Sequence, residues 1–414
     1  MFIFKKSKIV TLTFLLMFIG ECLLAKTTIE FIQWWAPELP KGSFRAIMDD
    51  FEKKNPDIKV KLISGPYSNI KDQIVVGAAS GTLSDVVGLD GAWVNDLATQ
   101  GAITDMNPLM KTGSLDTNEI AAIIKLENKS YMFPVASFIY PIFINLDMYT
   151  EAGLASMPKT RNDFFNAARK LTNKSKNQYG WVLPLSLQTP WGVANDVLSW
   201  VWASGGTMMK DGKPDLTNKH VVEVLHFIND MHKAGVISPG TLSKKEQDKV
   251  EEFVNGRVGM AVGTLAHINM IRERNPDLNY TITDTPVTDG YTGKRGIYYA
   301  AWGIGISEHS KNKKEAWKLV EYLMSAETNS RLVSIANAFP GNVNAKPDFV
   351  TSDRRFEKAF KMFQNGYLAN EFVGLPVAGE LMRMLDEEMQ LMLQGKQTPE
   401  KTAARAQARW IAEF

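Results

Sequence analysis

The sequence predicts an α/β protein in two lobes, and three observations carry that expectation. Strand and helix patterns alternate through the first hundred residues after residue 25, a proline-bearing extended segment follows, and a mostly helical second half returns to strand three times. The 414 residues suffice for two lobes of ordinary domain size, and a hydrophobic share of 45% can fill a core in each.

The elements follow in order. Ile29 to Trp34 reads as a buried strand running into a loop at Trp35, Ala36 and Pro37. Phe44, Ile47, Met48 and Phe51 then recur at helical spacing, and Asn55-Pro56 stops that helix. Ile58, Val60 and Leu62 alternate as a strand; Ile70, Ile74, Val75 and Ala78 mark a second helix ending near Gly81. Asp85 to Gly88 is a short strand, followed by a helix through Trp93 and Leu97 that closes at Gly101. Such alternation argues for a parallel sheet covered by helices.

Pro134 to Asn145 is extended and apolar with Pro141 inside it, which suits a segment crossing between lobes better than a central strand. Beyond it, Thr160 with Asp163 and Ser243 with Glu246 read as helix N-cap pairs, and Thr217 to Ala234 as a long amphipathic helix closed by Gly235. Val258–Val262, Tyr280–Thr283 and Tyr298–Ile306 read as strands. The tail is helical, with Thr398 capping and Pro399 opening a run to Trp410.

Residues 1–25 have the parts of a secretory signal: Lys5, Lys6 and Lys8, an apolar run from Ile9 to Ile19, and Ala25 before the cut. The formal charge of +2 resides there; without Lys5, Lys6, Lys8 and Glu21, 44 basic residues face 44 acidic ones. No basic patch stands out, so nucleic acid is not expected as a partner. Cys22 is the only cysteine, and Glu21 before it is not the small residue of a lipid-modification signal, so a free periplasmic protein without disulfides or thiolate chemistry is expected.

Catalytic and cofactor motifs are missing. His220, His226 and His232 are six apart, a step of about 600° around a helix, so they diverge instead of meeting at one metal. The stretch Gly303-Ile304-Gly305-Ile306 lacks the third glycine of a dinucleotide loop, and no phosphate loop or nucleophile elbow occurs. No cofactor is expected. Carboxylates are plentiful, and nothing singles out a glycosidase pair.

Aromatic residues do stand at informative places. Trp34 and Trp35 end the first strand, where ligands gather in open α/β sheets. Trp191 follows Pro190, and Trp302 closes the run Tyr298-Tyr299-Ala300-Ala301-Trp302. An indole face suits the C–H side of a pyranose while nearby polar groups take its hydroxyls. Core packing is the competing reading for each; Trp200, Trp202, Trp317 and Trp410, at helical spacing, are assigned to core.

Ordered blocks carry a family resemblance over about residues 28–412: Trp34-Trp35; Phe51-Glu52-Lys53 with Pro56; Ala79-Ser80-Gly81-Thr82 leading to Asp85-Val86-Val87; Asp90 and Trp93; Asn145-Leu146-Asp147; Gly205-Gly206; Asn255-Gly256-Arg257-Val258-Gly259-Met260; and Trp302 to Ser307. In their order the sequence resembles the family 1 extracellular solute-binding proteins of ABC transporters, the group that includes the maltose-binding protein. The resemblance implies a two-lobed periplasmic binding protein fold, hinged, with a ligand cleft between lobes. It implies residues 26–135 plus 300–341 in the first lobe and 136–299 plus 342–414 in the second, with crossings near Phe133–Ile139, Ile297–Ala301 and Gly341–Val343. It further implies a monomer that binds a carbohydrate without altering it and hands it to permease subunits in the inner membrane.

The ligand-contacting residues expected on these grounds are Trp34, Trp35, Asp90 and Trp93 from the first lobe, then Tyr140, Trp191, His267 and Trp302, with Glu380 and Arg383 on a helix that faces the cleft in this family. Asp85 is assigned to holding a loop. Where the family often has tryptophan after Gly263, this chain has Leu265 and His267, which removes one stacking position. The alternatives are a binding protein for a polyol, phosphodiester, polyamine or metal chelate, and a periplasmic glycosidase.

Overall fold

The computed structural model describes residues 26–120, 123–348 and 353–414; the signal segment expected at residues 1–25, with Cys22, lies outside them. The amino-terminal alternation folds as expected. Strands β1 (Thr27–Gln33), β2 (Ile58–Ser64) and β3 (Val86–Leu89) run parallel with β1 in the middle. Helix Ser43–Lys54 buries Phe44, Ile47, Met48 and Phe51 against them. Helix Tyr67–Ser80 ends where Gly81 takes a left-handed φ of 69°, a conformation glycine adopts without strain. It buries Ile70, Ile74, Gly77 and Ala78, whereas Val75 points to solvent: the apolar stripe turns through Gly77 instead.

Strands β4 (Ile124–Leu126) and β5 (Lys129–Ile139) form a hairpin on the same sheet. At Tyr140-Pro141 the chain leaves it and enters a smaller sheet as β6 (Ile142–Asn145). The crossing thus falls just beyond Phe133–Ile139, residues that remain within β5. The smaller sheet adds β7 (Tyr179–Trp181), and after a small hairpin of β8 (Met209–Lys210) and β9 (Lys213–Pro214) it adds β10 (Val258–Val262) and β11 (Tyr280–Thr283), in the order β11-β6-β10-β7. Strand β12 (Gly296–Ile306) returns to the larger sheet between β3 and β5, antiparallel to both. There β13 (Phe339–Pro340) flanks β5, and β14 (Tyr367–Ala369) pairs with the start of β12.

Pro134 lies inside β5, a position a central strand tolerates only at an irregularity. The ladder supplies one: Trp302 pairs with Ala136 and Gly303 with Pro134, so Val135 is bulged out. Its carbonyl accepts from Asn329 Nδ2 at 2.8 Å and from Gly341 N at 3.3 Å, so the bulged group stays paired. A Cβ at Gly303 would fall 1.9 Å from Met132 Cε, so any larger residue there would have to displace the Met132 side chain.

The carboxyl-terminal segment touches both sheets' surroundings. Val377 N donates to Asp96 Oδ1 and Gly374 N to Gly91 O on the larger-sheet side, while Gln407 Nε2 donates to Pro214 O on the other. Helix Pro399–Ile411, capped by Thr398, locks onto helix Ala378–Leu393 through Trp410 Nε1 and Leu381 O at 2.8 Å. Trp200, Trp202, Trp317 and Trp410 are all buried. Among the described residues no helix is long and apolar enough to cross a membrane.

Candidate ligand-binding site

A cavity of about 250 Å³ opens between the two sheets. The larger-sheet side contributes the carboxyl ends of β1 and β3, where parallel strands leave a crevice. Trp34 follows β1 and Asp90 follows β3, while Phe138 and Trp302 come from β5 and β12. The bulge beside Trp302 re-aims that side chain relative to a regular ladder. Gln33, fully buried, accepts from Ala36 N at 2.8 Å and donates to Ser64 Oγ, which pins the turn that carries Glu38 to the cavity.

The smaller-sheet side closes the space with residues that follow β10 and with two helix starts. His267, Met270 and Arg274 line the cavity from one face of helix His267–Arg274, at i, i+3 and i+7. Glu246, Gln247 and Val250 come from helix Glu246–Val254, and Thr189, Trp191 and Asn195 from the turn before Ser199. Gly192 lets that turn close, because a Cβ there would lie 2.3 Å from Pro184 O.

Ring faces dominate the lining. Trp34 meets Tyr67 edge to face at 5.2 Å, Trp302 packs on Phe138 at 4.7 Å, and Tyr140 on Tyr298 at 4.8 Å. Trp191 is 9% exposed, and its indole N–H is buried without a protein partner. Burial pushes the hydroxyls of Tyr67, Tyr140 and Tyr298 well above the usual phenol range, so all three stay neutral donors.

Three carboxylates stand among these rings. Asp90 accepts from Tyr67 Oη at 3.1 Å and from Ala92 N at 3.0 Å, and burial raises its carboxyl. Burial first and the Glu246 charge second push Glu38 up to about 8. Glu246 Oε2 lies 2.9 Å from Lys249 Nζ, but that ammonium also holds Asp196 at 2.8 Å, and neither Glu246 oxygen receives a well-directed hydrogen bond. His267 Nε2 stands 3.6 Å from Glu246 Oε1, and burial lowers the imidazole to about 4, leaving it neutral. Among the described residues, no cluster of three or more His, Cys, Asp or Glu is arranged to hold a metal ion.

Of the ten residues expected to meet ligand, the structure brings six to this cavity: Trp34, Asp90, Tyr140, Trp191, His267 and Trp302. Trp35 and Trp93 do not line it. Trp35 is fully buried behind Trp302, and Trp93 packs behind Trp34 and Tyr67. Glu380 and Arg383 also lie outside the lining; they pair with each other, and Arg383 pairs again with Glu387 along the same helix. Asp85 accepts from Glu30 N and Ser310 Oγ, tying two loops together.

Sequence reasoning missed Glu38, Tyr67, Asn195, Glu246, Arg274 and Tyr298. Glu38 carried a usable signal, since it sits in the loop after the first strand. Glu246 was assigned to an N-cap pair with Ser243, but the helix begins later: Lys245 precedes its first residue, and Asp248 accepts from Lys245 N at 2.8 Å. Without that capping role, Glu246 lines the cavity while its carboxylate pairs with Lys249.

The profile of the bacterial extracellular solute-binding proteins matches residues 36–330. A galactooligosaccharide-binding protein of Bacillus subtilis is 22% identical over 387 residues, covering 91% of this chain and 87% of its own. An ABC transporter solute-binding protein of Thermotoga lettingae bound to α-D-tagatose superposes with a TM-score of 0.82 at 23% identity, over 94% of this chain and 99% of that one. One from Agrobacterium radiobacter in complex with ribitol gives 0.80 at 21% identity, over 94% and 100%. The fold is therefore the two-lobed architecture of these proteins, and the chain belongs to the family of bacterial extracellular solute-binding proteins.

Proposed function

We propose that this protein is the substrate-binding subunit of a bacterial ABC importer, a periplasmic monomer that captures a carbohydrate between its lobes and passes it unaltered to membrane permease subunits. One observation carries the reading: Trp34, Trp191 and Trp302 line a single cavity together with Asp90, Asn195, Gln247 and Thr264. Apolar faces beside hydrogen-bonding groups match the two faces of a sugar ring. The cavity, near the lower end of small-molecule pockets, suits a sugar of one or two units. The relatives named for galactooligosaccharide and tagatose support a sugar, and the ribitol complex supports extending the test to polyols. Because ligand touches both lobes at once, it stabilises the closed arrangement.

The carboxylates favour one competing reading, a glycosidase, which needs two of them across the bond to be cleaved. Against it, Asp90 is held by Tyr67 and Ala92, and Glu246 leans on Lys249. The deciding experiment incubates ligand-freed protein with a panel of sugars and polyols and follows tryptophan fluorescence and melting temperature, then recovers the ligand for chromatography. A shifted emission, a higher melting temperature and chemically intact ligand are expected. Released product identifies an enzyme instead, and a panel without any binder removes the carbohydrate assignment.

A further inference from the structure

Resting on the carbohydrate reading of the same cavity, we propose that Asp196 and Lys249 are positioning residues: their buried ion pair holds one turn of a wall helix in π-helical register, and that register aims Trp191 and Asn195 at the ligand. Neither Asp196 nor Lys249 lines the cavity, so both act through other residues.

The wall helix covers residues 192–203, and its middle, Ala194–Leu198, is a π turn in which Ser199 N donates to Ala194 O, five residues back. Asn195 N donates to Trp191 O at 3.1 Å, four residues back, so Trp191 and Asn195 share the face that meets the cavity. Beyond the turn the helix is fixed by the core. Trp200 and Trp202 are buried, Trp200 Nε1 donates to Asp196 O at 3.0 Å, and Trp202 Nε1 donates to Glu371 Oε2 at 3.0 Å while its ring stacks on Tyr298. A π turn contains one residue more than an α turn closed at the same point, and one residue of an α-helix is about 100° of rotation. With Trp200 and Trp202 held, loss of the extra residue would swing Trp191 and Asn195 about 100° away from the cavity.

Such turns are rare, and this one carries its own cause. Asp196 lies within it, fully buried, with Oδ2 2.8 Å from the Lys249 ammonium, which is 1% exposed. Lys249 belongs to helix Glu246–Val254 and also stands 2.9 Å from Glu246 Oε2, and Glu246 Oε1 lies 3.6 Å from His267 Nε2. Asp196, Lys249, Glu246 and His267 thus form one polar line through three elements of the wall. A buried ion pair adds little stability over an apolar pair of the same shape. What it supplies here is register, because the turn must keep its extra residue to set Asp196 on the ammonium.

The test follows fluorotryptophan-labelled protein by fluorine NMR and titrates D-tagatose, D-galactose, melibiose and ribitol by calorimetry. Asp196→Asn keeps an acceptor for Lys249, whereas Asp196→Asn combined with Lys249→Met removes the tether and leaves no charge at either position. In the double variant the Trp191 resonance, assigned by Trp191→Phe, is expected to shift without ligand, while that of Trp317, packed on Phe133 beside the larger sheet, stays in place. The tightest-binding probe is expected to lose affinity about ten-fold or more in the double variant and less than about two-fold in Asp196→Asn. Asn195→Ala is expected to weaken binding about five-fold in the parent and in Asp196→Asn, but less than about two-fold in the double variant, where Asn195 has already left the cavity. A pair that served stability alone would lower the melting temperature and leave that coupling intact. An unmoved Trp191 resonance in the double variant, or an equal cost of Asn195→Ala in both backgrounds, overturns the register assignment. If the double variant does not fold, Asp196→Ala, in which Lys249 keeps Glu246, takes its place under the same criteria. A panel in which no probe binds counts against the carbohydrate reading alone, because the fluorine spectra decide the register without ligand.

Discussion

The indoles of Trp35 and Trp302 are stacked, 7° apart in plane with ring centroids 5.5 Å apart, so that a residue sealed in the core backs one that lines the cavity. The Trp-Trp pair after the first strand thus divides its labour. Trp34 lines the cavity, whereas Trp35 stacks on Trp302 from behind. Trp302→Ala is expected to weaken ligand binding on the order of 30-fold, as removal of a buried aromatic anchor does. Trp35→Phe keeps the packing approximately but loses the extended stack, and is expected to weaken binding about three-fold with a small fall in melting temperature. Calorimetric titration and thermal unfolding separate the two effects. Equal affinity in Trp302→Ala and the parent protein removes Trp302 from the site.

Asn269 joins the two sides of the cleft without touching the cavity. It lies on helix His267–Arg274, beyond β10, and donates through Nδ2 to Ile335 O at 2.7 Å. Asn337 Nδ2 in turn donates to Asn269 Oδ1 at 2.8 Å, from a left-handed position that caps the helix Ala326–Ala336 packed on β5. These two bonds tie the helix beyond β10 to the segment packed on β5 without any ligand contact. Asn269→Ala is expected to lower apparent affinity three- to ten-fold, because a smaller fraction of molecules is competent to bind. The radius of gyration without ligand, measured by small-angle X-ray scattering, should rise. Unchanged affinity and unchanged radius would show that the bonds do not bias closure.

Asp386 is fully buried on helix Ala378–Leu393, neither of its oxygens has a partner, and burial pushes its carboxyl up to about 8. The folded state therefore keeps a proton that the unfolded chain releases near pH 4. The contribution to stability is full below pH 4 and is lost as pH rises toward 8, at about 1.4 kcal/mol per pH unit. Asp386→Asn is expected to flatten that decline, so that its urea midpoint exceeds the parent's at pH 8 but not at pH 4. A parallel pair of stability curves would place the charge elsewhere.

How far the site was legible depended on whether chemistry or packing decided a residue's direction. Trp34 and Asp90 could be found because the carboxyl ends of parallel strands point to a crevice wherever strand and helix alternate. Trp35, one residue on, carries the same residue type and the opposite fate, since direction within a turn depends on Gln33 bonding Ala36 N and Ser64, a contact 31 residues apart in sequence. Glu380 and Arg383 lie outside the cavity lining and pair with each other at i, i+3, a local contact that their spacing alone permits. Local patterns were read well, as in the capping box of Thr160 and Asp163. The bulge at Val135 and the late start of the Glu246 helix arise from pairing between distant segments, which periodicity does not reveal.

Lys249 is the joint between the cavity wall and the core behind it. Its ammonium, 1% exposed, stands 2.8 Å from Asp196 Oδ2 and 2.9 Å from Glu246 Oε2. Burial opposes its charge, but the two carboxylates outweigh burial and hold it above the usual lysine range, so it remains protonated. Lys249→Met leaves Asp196 and Glu246 facing each other without a cation, which is expected to destabilise the protein by about 3–5 kcal/mol. Adding Asp196→Asn removes the buried charge that the lysine had answered, and the double variant is expected to recover most of the loss. Urea unfolding of the single and double variants measures both terms. A single variant within about 1 kcal/mol of the parent would mean that Asp196 takes up a proton when the lysine is absent, and the double variant would then gain nothing over the single one.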